Sequence, residues 1–226
     1  MNIVFPPLYA MIDADLLRSL SLGMSELSFA EQMANSGVEL LQYRDKRANA
    51  RQLFDVSRTL SARLAQIAAA NDRPIRLIVN DRPDVALLAG AGGVHVGQHD
   101  LPVEDARTIM GPGRWVGVST HNLEQLKAAD RTSADYIAFG PVFPTATKEN
   151  PDPVVGLNLL AEVRKRTHKP LVAIGGITLE RAAEVYRAGA DSLAVARDLI
   201  AAPDPVQRAR AFLAEAEKVL GTRAPR

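Results

Sequence analysis

The chain has 226 residues, 47% apolar and 23% charged, and its 27 Lys and Arg against 26 Asp and Glu leave a formal charge of +1. That balance excludes a disordered chain, a collagen-like chain and a coiled coil, and it argues against a general nucleic-acid or anionic-membrane surface. There is no Cys, no basic leader before a long apolar stretch and no run of about 18 apolar residues, so the expectation is a cytoplasmic protein that meets neither nucleic acid nor membrane.

Short apolar runs rich in β-branched residues alternate with helical patterns along the whole length. Strands are predicted at Leu8–Ile12, Val38–Tyr43, Ile75–Val79 and Gly93–Val96, then at Trp115–Val118, Tyr136–Phe139, Leu171–Ile174 and Ser192–Val195. The clearest helices are Arg51–Ala70, Leu179–Ala188 and Pro205–Leu220, the last with Pro at its start. Strands alternating with helices in this way require parallel pairing through right-handed crossovers. Before every second strand the same punctuation recurs, in Ser36-Gly37-Val38, Ala91-Gly92-Gly93-Val94, Ser133-Ala134-Asp135-Tyr136 and Ala188-Gly189-Ala190-Asp191. That quasi-repeat suits a closed barrel better than an open doubly wound sheet. No linker divides the chain, and Pro141–Pro153 reads as an elongated loop. The expected fold class is α/β, a single (β/α)8 TIM barrel over residues 1–226, with 221–226 a flexible tail.

In such a barrel the chemistry sits on loops after the strands, so the residues there should be chemically coherent. After the second strand comes Gln42-Tyr43-Arg44-Asp45-Lys46, where Gln42, Arg44 and Lys46 share one face if the segment is extended. An amide and two cations aimed into a barrel mouth are costly unless an anion is met there; the alternative is a solvated loop. The third strand ends in Asn80-Asp81 and the fourth in His95-Val96-Gly97-Gln98-His99-Asp100. Each Asp alone reads first as a helix cap. Together, facing Arg44 and Lys46, they suit a phosphate held with Mg²⁺, which takes one or two protein carboxylates. A zinc site is disfavoured, because His95 lies within a strand alternation and no thiol or H-E-x-x-H accompanies it. Ser119 lacks a G-x-S-x-G elbow, which disfavours a serine hydrolase. After the sixth strand, Thr145 and Thr147 share a face and Lys148 adds a cation. Gly175-Gly176 after the seventh strand and Val195-Ala196-Arg197-Asp198 after the eighth occupy the positions where such barrels bind phosphate through backbone N–H groups.

This ordered set resembles the thiamine-phosphate synthase family, collinear from about Leu8 to Leu213. The match rests on Gln42-x-Arg44-x-Lys46, Asn80-Asp81, Gly93 to Asp100, Gly117 to His121, Gly140 to Lys148 and Ile174-Gly-Gly-Ile177. The resemblance implies transfer of a pyrimidinylmethyl group from 4-amino-2-methyl-5-(diphosphooxymethyl)pyrimidine to the nitrogen of a thiazole phosphate, or of its carboxylated tautomer, with diphosphate released. It implies one Mg²⁺ per active site on Asp81 and Asp100, and these two small molecules as partners; assembly as a homo-oligomer is left open. It also implies that the run Gln42, Tyr43, Arg44, Asp45 and Lys46, with Asn80, Ser119 and Lys148, holds the pyrimidine diphosphate. Arg44, Lys46, Ser119 and Lys148 would be catalytic among these. Thr145, Ala146, Thr147, Gly176, Ala196 and Arg197 would hold the thiazole phosphate. One departure is Arg197, where the family often carries Ser; its guanidinium either adds to the phosphate grip or pairs with Asp198 and points away. The competing readings are a thiazole tautomerase-like isomerase, which needs no diphosphate pocket, and a non-catalytic ligand-binding barrel.

Overall fold

A computed structural model describes residues 5–21, 23–145 and 152–221. Strand Leu8–Asp13 (β1) leads through helices Ala14–Ser19 (α1) and Glu26–Ser36 (α2) to Leu40–Arg44 (β2). Helix Ala50–Ala70 (α3), strand Arg76–Asn80 (β3), helix Pro83–Leu88 (α4) and strand Gly93–Val96 (β4) follow. The second half runs Val103–Met110 (α5), Trp115–Thr120 (β5), Leu123–Asp130 (α6), Tyr136–Phe139 (β6) and Gly156–Arg164 (α7). It finishes with Leu171–Ile174 (β7), Leu179–Arg187 (α8), Ser192–Val195 (β8), Arg197–Ile200 (α9) and Pro205–Leu220 (α10). The strands pair in parallel in chain order and close as a barrel, with Tyr9 of β1 opposite Leu40 of β2 on one side and Ala194 of β8 on the other.

Period-two alternation sorts the strand residues into two cores. Leu8, Ala10 and Ile12 pack outward with the helices, while Tyr9 and Met11 pack inward with Leu40, Ile78, Tyr136, Ala138, Val172 and Ala194. The outer layer is supplied by helices such as α3, which buries Leu53, Leu60, Leu64 and Ile67 on one stripe. Each such burial stabilises by about 1.5–3 kcal/mol. Its start is set by a capping box: the Asn49 side chain accepts from the Gln52 N–H at 3.0 Å and the Gln52 side chain accepts from the Asn49 N–H at 3.0 Å. Inside the barrel, Tyr136 can lie across the interior only because residue 117 is glycine; a Cβ there would fall 2.0 Å from the Tyr136 ring. No helix among the described residues is long and apolar enough to cross a membrane.

Strand boundaries depart from the sequence reading where they matter for the site. β1 continues to Asp13, β3 to Asn80 and β5 to Thr120, so polar residues expected on loops are held in the sheet. Conversely β2 starts at Leu40 rather than Val38, because the Val38 N–H turns back to the Met33 carbonyl (3.1 Å) and completes the end of α2. Residues 222–226 of the expected tail and the loop residues Ala146, Thr147 and Lys148 lie outside the described residues.

Candidate active site

The carboxyl ends of the strands surround one cavity of about 1020 Å³. Gln42, Arg44, Lys46, Asn80, Asp81, Asp100 and Ser119 line it, and so do Thr145, Gly176, Ala196 and Arg197. The sheet explains the first group. β2 turns Gln42 and Arg44 inward, β3 does the same for Asn80, and β5 for Ser119.

Tyr43 and Asp45 correct the expectation drawn from their neighbours. Alternation sends the Tyr43 side chain outward, where it is 1% exposed among the residues packed against the helices. Asp45 receives two hydrogen bonds from Arg18, at 2.9 and 3.0 Å, and accepts the backbone N–H groups of Arg47 (2.9 Å) and Ala48 (3.1 Å). The Arg18 contact above all holds its carboxyl below the usual carboxylate range. Asp45 therefore shapes the turn after β2, and neither side chain lines the cavity.

Neither Asp81 nor Asp100 caps a helix. The N-cap positions of α4 and α5 are Arg82 and Pro102, and neither makes a side-chain cap. Asp81 adopts φ +62, a left-handed conformation that Asp tolerates better than most residues, and its N–H donates to the His95 carbonyl at 2.7 Å. Its carboxylate accepts from Lys46 Nζ and also meets Asp100. Burial, opposed by Lys46 and reinforced by Asp100, raises the Asp81 pKa. The Asp100 Oδ2 accepts the Gly97 N–H at 2.7 Å. Two carboxylates forced together in a partly buried wall favour a cation between them or a proton on one of them. Among the described residues no group of three or more His, Cys, Asp or Glu gathers, so the protein offers two hard oxygen donors. That set suits Mg²⁺ completed by phosphate oxygens and water.

Asp13 and Arg181 lie outside the residues that the sequence singles out, and His121, which it places after the fifth strand as a polar contact or helix-entry residue, is a polar contact. Asp13, one residue past the predicted first strand, accepts from Arg44 at 2.8 Å and caps α1 through the Leu16 N–H at 2.9 Å. Its side chain is 4% exposed, so this pair holds the guanidinium in place far more firmly than a surface ion pair. His121 bonds the Gly140 carbonyl at 2.6 Å through Nδ1, tying the end of β5 to the loop after β6. Arg181 sits 4.4 Å over the Phe143 ring and donates to the Gly176 carbonyl at 3.2 Å. Counting in twos from Tyr9 would have found Asp13; the His121 contact with Gly140 and the Arg181 contact with Phe143 each join separate segments of the chain.

The second half of the cavity is shaped by backbone, beside the side chains of Arg181, Arg197 and Arg208. Gly175 and Gly176 take φ +97 and +64, and a Cβ at 176 would lie 2.4 Å from the Pro144 carbonyl oxygen. Only glycine lets this turn and the loop after β6 approach so closely. The first amides of α9 have no partner within that helix. Of the two alternatives for Arg197, the pairing with Asp198 is not the one adopted. Asp198 accepts from Arg208 Nε (2.8 Å) and from the Leu179 N–H (3.0 Å), and the exposed Arg197 side chain pairs with no described residue.

A closed (β/α)8 barrel with paired carboxylates and cations on one wall, and an amide-lined turn on another, defines a class of enzyme that handles phosphorylated small molecules. Comparison with known proteins narrows the class. The family profile described as thiamine monophosphate synthase matches residues 8–199. The thiamine-phosphate synthase of Koribacter versatilis is 50% identical over 208 residues, covering 92% of this chain and 94% of that protein. That of Methanospirillum hungatei is 39% identical over 193 residues, covering 85% and 91%. The structure of thiamine phosphate pyrophosphorylase from Pyrococcus furiosus superimposes with a TM-score of 0.81 at 32% identity, covering 95% of this chain and 97% of that one. The chain belongs to the thiamine monophosphate synthase family.

Proposed function

We propose that this chain is a transferase that joins 4-amino-2-methyl-5-(diphosphooxymethyl)pyrimidine to a thiazole phosphate, giving thiamine phosphate and diphosphate. The observation that carries the reading is the convergence of Asp81, Asp100, Arg44 and Lys46 on the cavity that also contains the Gly175-Gly176 turn. Two anion-binding walls of different construction in one cavity suit two phosphorylated substrates better than one.

In this reading the pyrimidine diphosphate lies against Gln42, Arg44, Lys46, Asn80 and Ser119, with Lys148 assigned there by the family motif. Asp81 and Asp100 are the residues that would hold Mg²⁺, which when bound supplies positive charge to the diphosphate oxygens. Arg44, steadied by Asp13, and Lys46 add to that charge as the C–O bond breaks and diphosphate departs with its electron pair. The electron-rich aminopyrimidine stabilises positive charge on the methylene carbon. The thiazole nitrogen attacks that carbon with its own lone pair, forming the C–N bond, so no general base is required. The Gly176, Ala196 and Arg197 backbone, with Thr145 and the family-motif residues Ala146 and Thr147, holds the thiazole phosphate so that its nitrogen is aligned. Both substrates are small and phosphorylated, and we place the reaction in the cytoplasm.

The test is direct. The chain is incubated with both substrates and Mg²⁺, and the products are read by mass spectrometry. Thiamine phosphate and diphosphate should form in equal amounts only when both substrates are present; a mixture left unchanged refutes the proposal.

A further inference from the structure

Beneath the cavity a line of buried polar groups crosses the barrel interior, and the reaction described above uses only its two ends. Gln42 Nε2 donates to the Tyr9 hydroxyl at 2.8 Å. The Tyr9 and Tyr136 hydroxyls lie 2.9 Å apart. Tyr136 Oη is 3.0 Å from His95 Nδ1, and His95 Nε2 is 2.8 Å from Ser119 Oγ. Tyr9, Gln42, Tyr136 and His95 are all buried, at 1%, 3%, 0% and 6% exposure. Burial lifts both phenols above their ordinary pKa, so they are neutral near pH 7, and the buried imidazole lies between two hydroxyls with no carboxylate in its hydrogen bonds, the setting of a neutral ring.

Neutral groups in this order have one proton each to give, and that fixes the direction of every bond. With the Gln42 amide donating to Tyr9, the Tyr9 hydroxyl must donate to Tyr136. The Tyr136 hydroxyl must then donate to His95 Nδ1, leaving the imidazole proton on Nε2, where it is given to Ser119 Oγ. Two groups remain unspent at the cavity floor: the Gln42 carbonyl oxygen, an acceptor, and the Ser119 hydroxyl proton, a donor. An aminopyrimidine presents the complement, an amino N–H beside a ring nitrogen with a lone pair.

We propose that Tyr9, Tyr136 and His95 are positioning residues, a one-way hydrogen-bond chain that presents Gln42 as acceptor and Ser119 as donor to the aminopyrimidine ring. The inference rests on the proposed reaction for the identity of the ring. The polarity itself rests on the chain of contacts and on Gln42 turning its Nε2, and not its oxygen, toward Tyr9. Reversing any one link reverses them all, turning Gln42 into a donor and Ser119 into an acceptor, which mismatches the ring at both points. Gly117 is part of the device, since it gives the Tyr136 ring its place.

The experiment has two readouts on the full chain. Nitrogen-15 NMR of the substrate-free protein, with the His95 signals assigned from their loss in His95→Asn, should show a neutral imidazole protonated at Nε2. A proton on Nδ1 overturns the proposal. Steady-state kinetics of Tyr136→Phe should show KM for the pyrimidine diphosphate raised about tenfold, the cost of one misdirected buried hydrogen bond, with KM for the thiazole phosphate changed less than about twofold. If that variant does not fold, Tyr9→Phe breaks the adjoining link and should give the same split. Equal movement of both KM values, or of neither, overturns the proposal. Failure of the wild type to make thiamine phosphate would instead overturn the reaction assignment, and the tautomer would still be measurable.

Discussion

In the proposed reaction the two halves of the cavity hold anions by opposite means. On one wall the work is done by side chains that are already committed to each other: Arg44 to Asp13, Lys46 to Asp81, and Asp81 to Asp100. On the other it is done by backbone, with a glycine pair pressed against the loop after β6 and a short helix start. A wall of charges is tuned by substitution but depends on its partners. An amide cradle carries little net charge and depends on shape. A diphosphate, whose charge grows as it leaves, suits the first; a monophosphate that stays attached throughout suits the second.

The comparison breaks first, and most severely, at the carboxylates. Asp81→Ala or Asp100→Ala should lower kcat/KM at least about a hundredfold, the scale of losing a charge-stabilising group, and should flatten the response to added Mg²⁺. Full activity in EDTA would contradict the role of the pair. Next comes the cradle: Gly176→Ala places a Cβ against the Pro144 carbonyl at a positive φ, so the turn must open. KM for the thiazole phosphate should rise more than about tenfold, with about 1–3 kcal/mol of stability lost, as read by urea denaturation. An unchanged KM would detach the cradle from that substrate. Asp13→Ala should act on the charged wall alone, losing about 1–3 kcal/mol from the cap and the buried pair and raising KM for the pyrimidine diphosphate several-fold. If the thiazole KM moves with it, the two walls are not independent. The smallest effect is expected from Arg197→Ser, which removes a guanidinium without a described partner. A change of about two- to fivefold in affinity for the thiazole phosphate, by calorimetry, would show that Arg197 sharpens the shape-based wall with charge.

How much of this could be read in advance follows the range of the forces involved. Strand order and barrel closure are legible because the alternation of short apolar runs with helices is a local pattern, and Gly93–Val96 or Tyr136–Phe139 could be placed to the residue. The same period of two would have placed Tyr9, His95 and Tyr136 inside the barrel and Tyr43 outside. The motif groups Tyr43 with Gln42 and Arg44, and motif does not respect the pleat. Asp198 shows the limit of local reading. Arg197 is its neighbour in sequence, but Arg208 reaches it across the packing of α10 on α9 and takes both carboxylate oxygens, at 2.8 and 2.9 Å. Nothing in the spacing of charges announces which arginine wins; the helix geometry decides it. Asp45 is a similar case, captured by Arg18 from an earlier helix.

That arginine has a further consequence. Arg208 also grips Glu180 on α8 at 2.8 Å, while Asp198 receives the first N–H of α8. The closing helix is thereby bolted to the start of α8, which follows the glycine turn, and to the start of α9, which follows β8. A chain trimmed ahead of position 208 would lose more than a strip of hydrophobic cover. It would let the rim of the proposed monophosphate pocket slacken from behind, with every residue that lines the cavity ahead of position 208 still present.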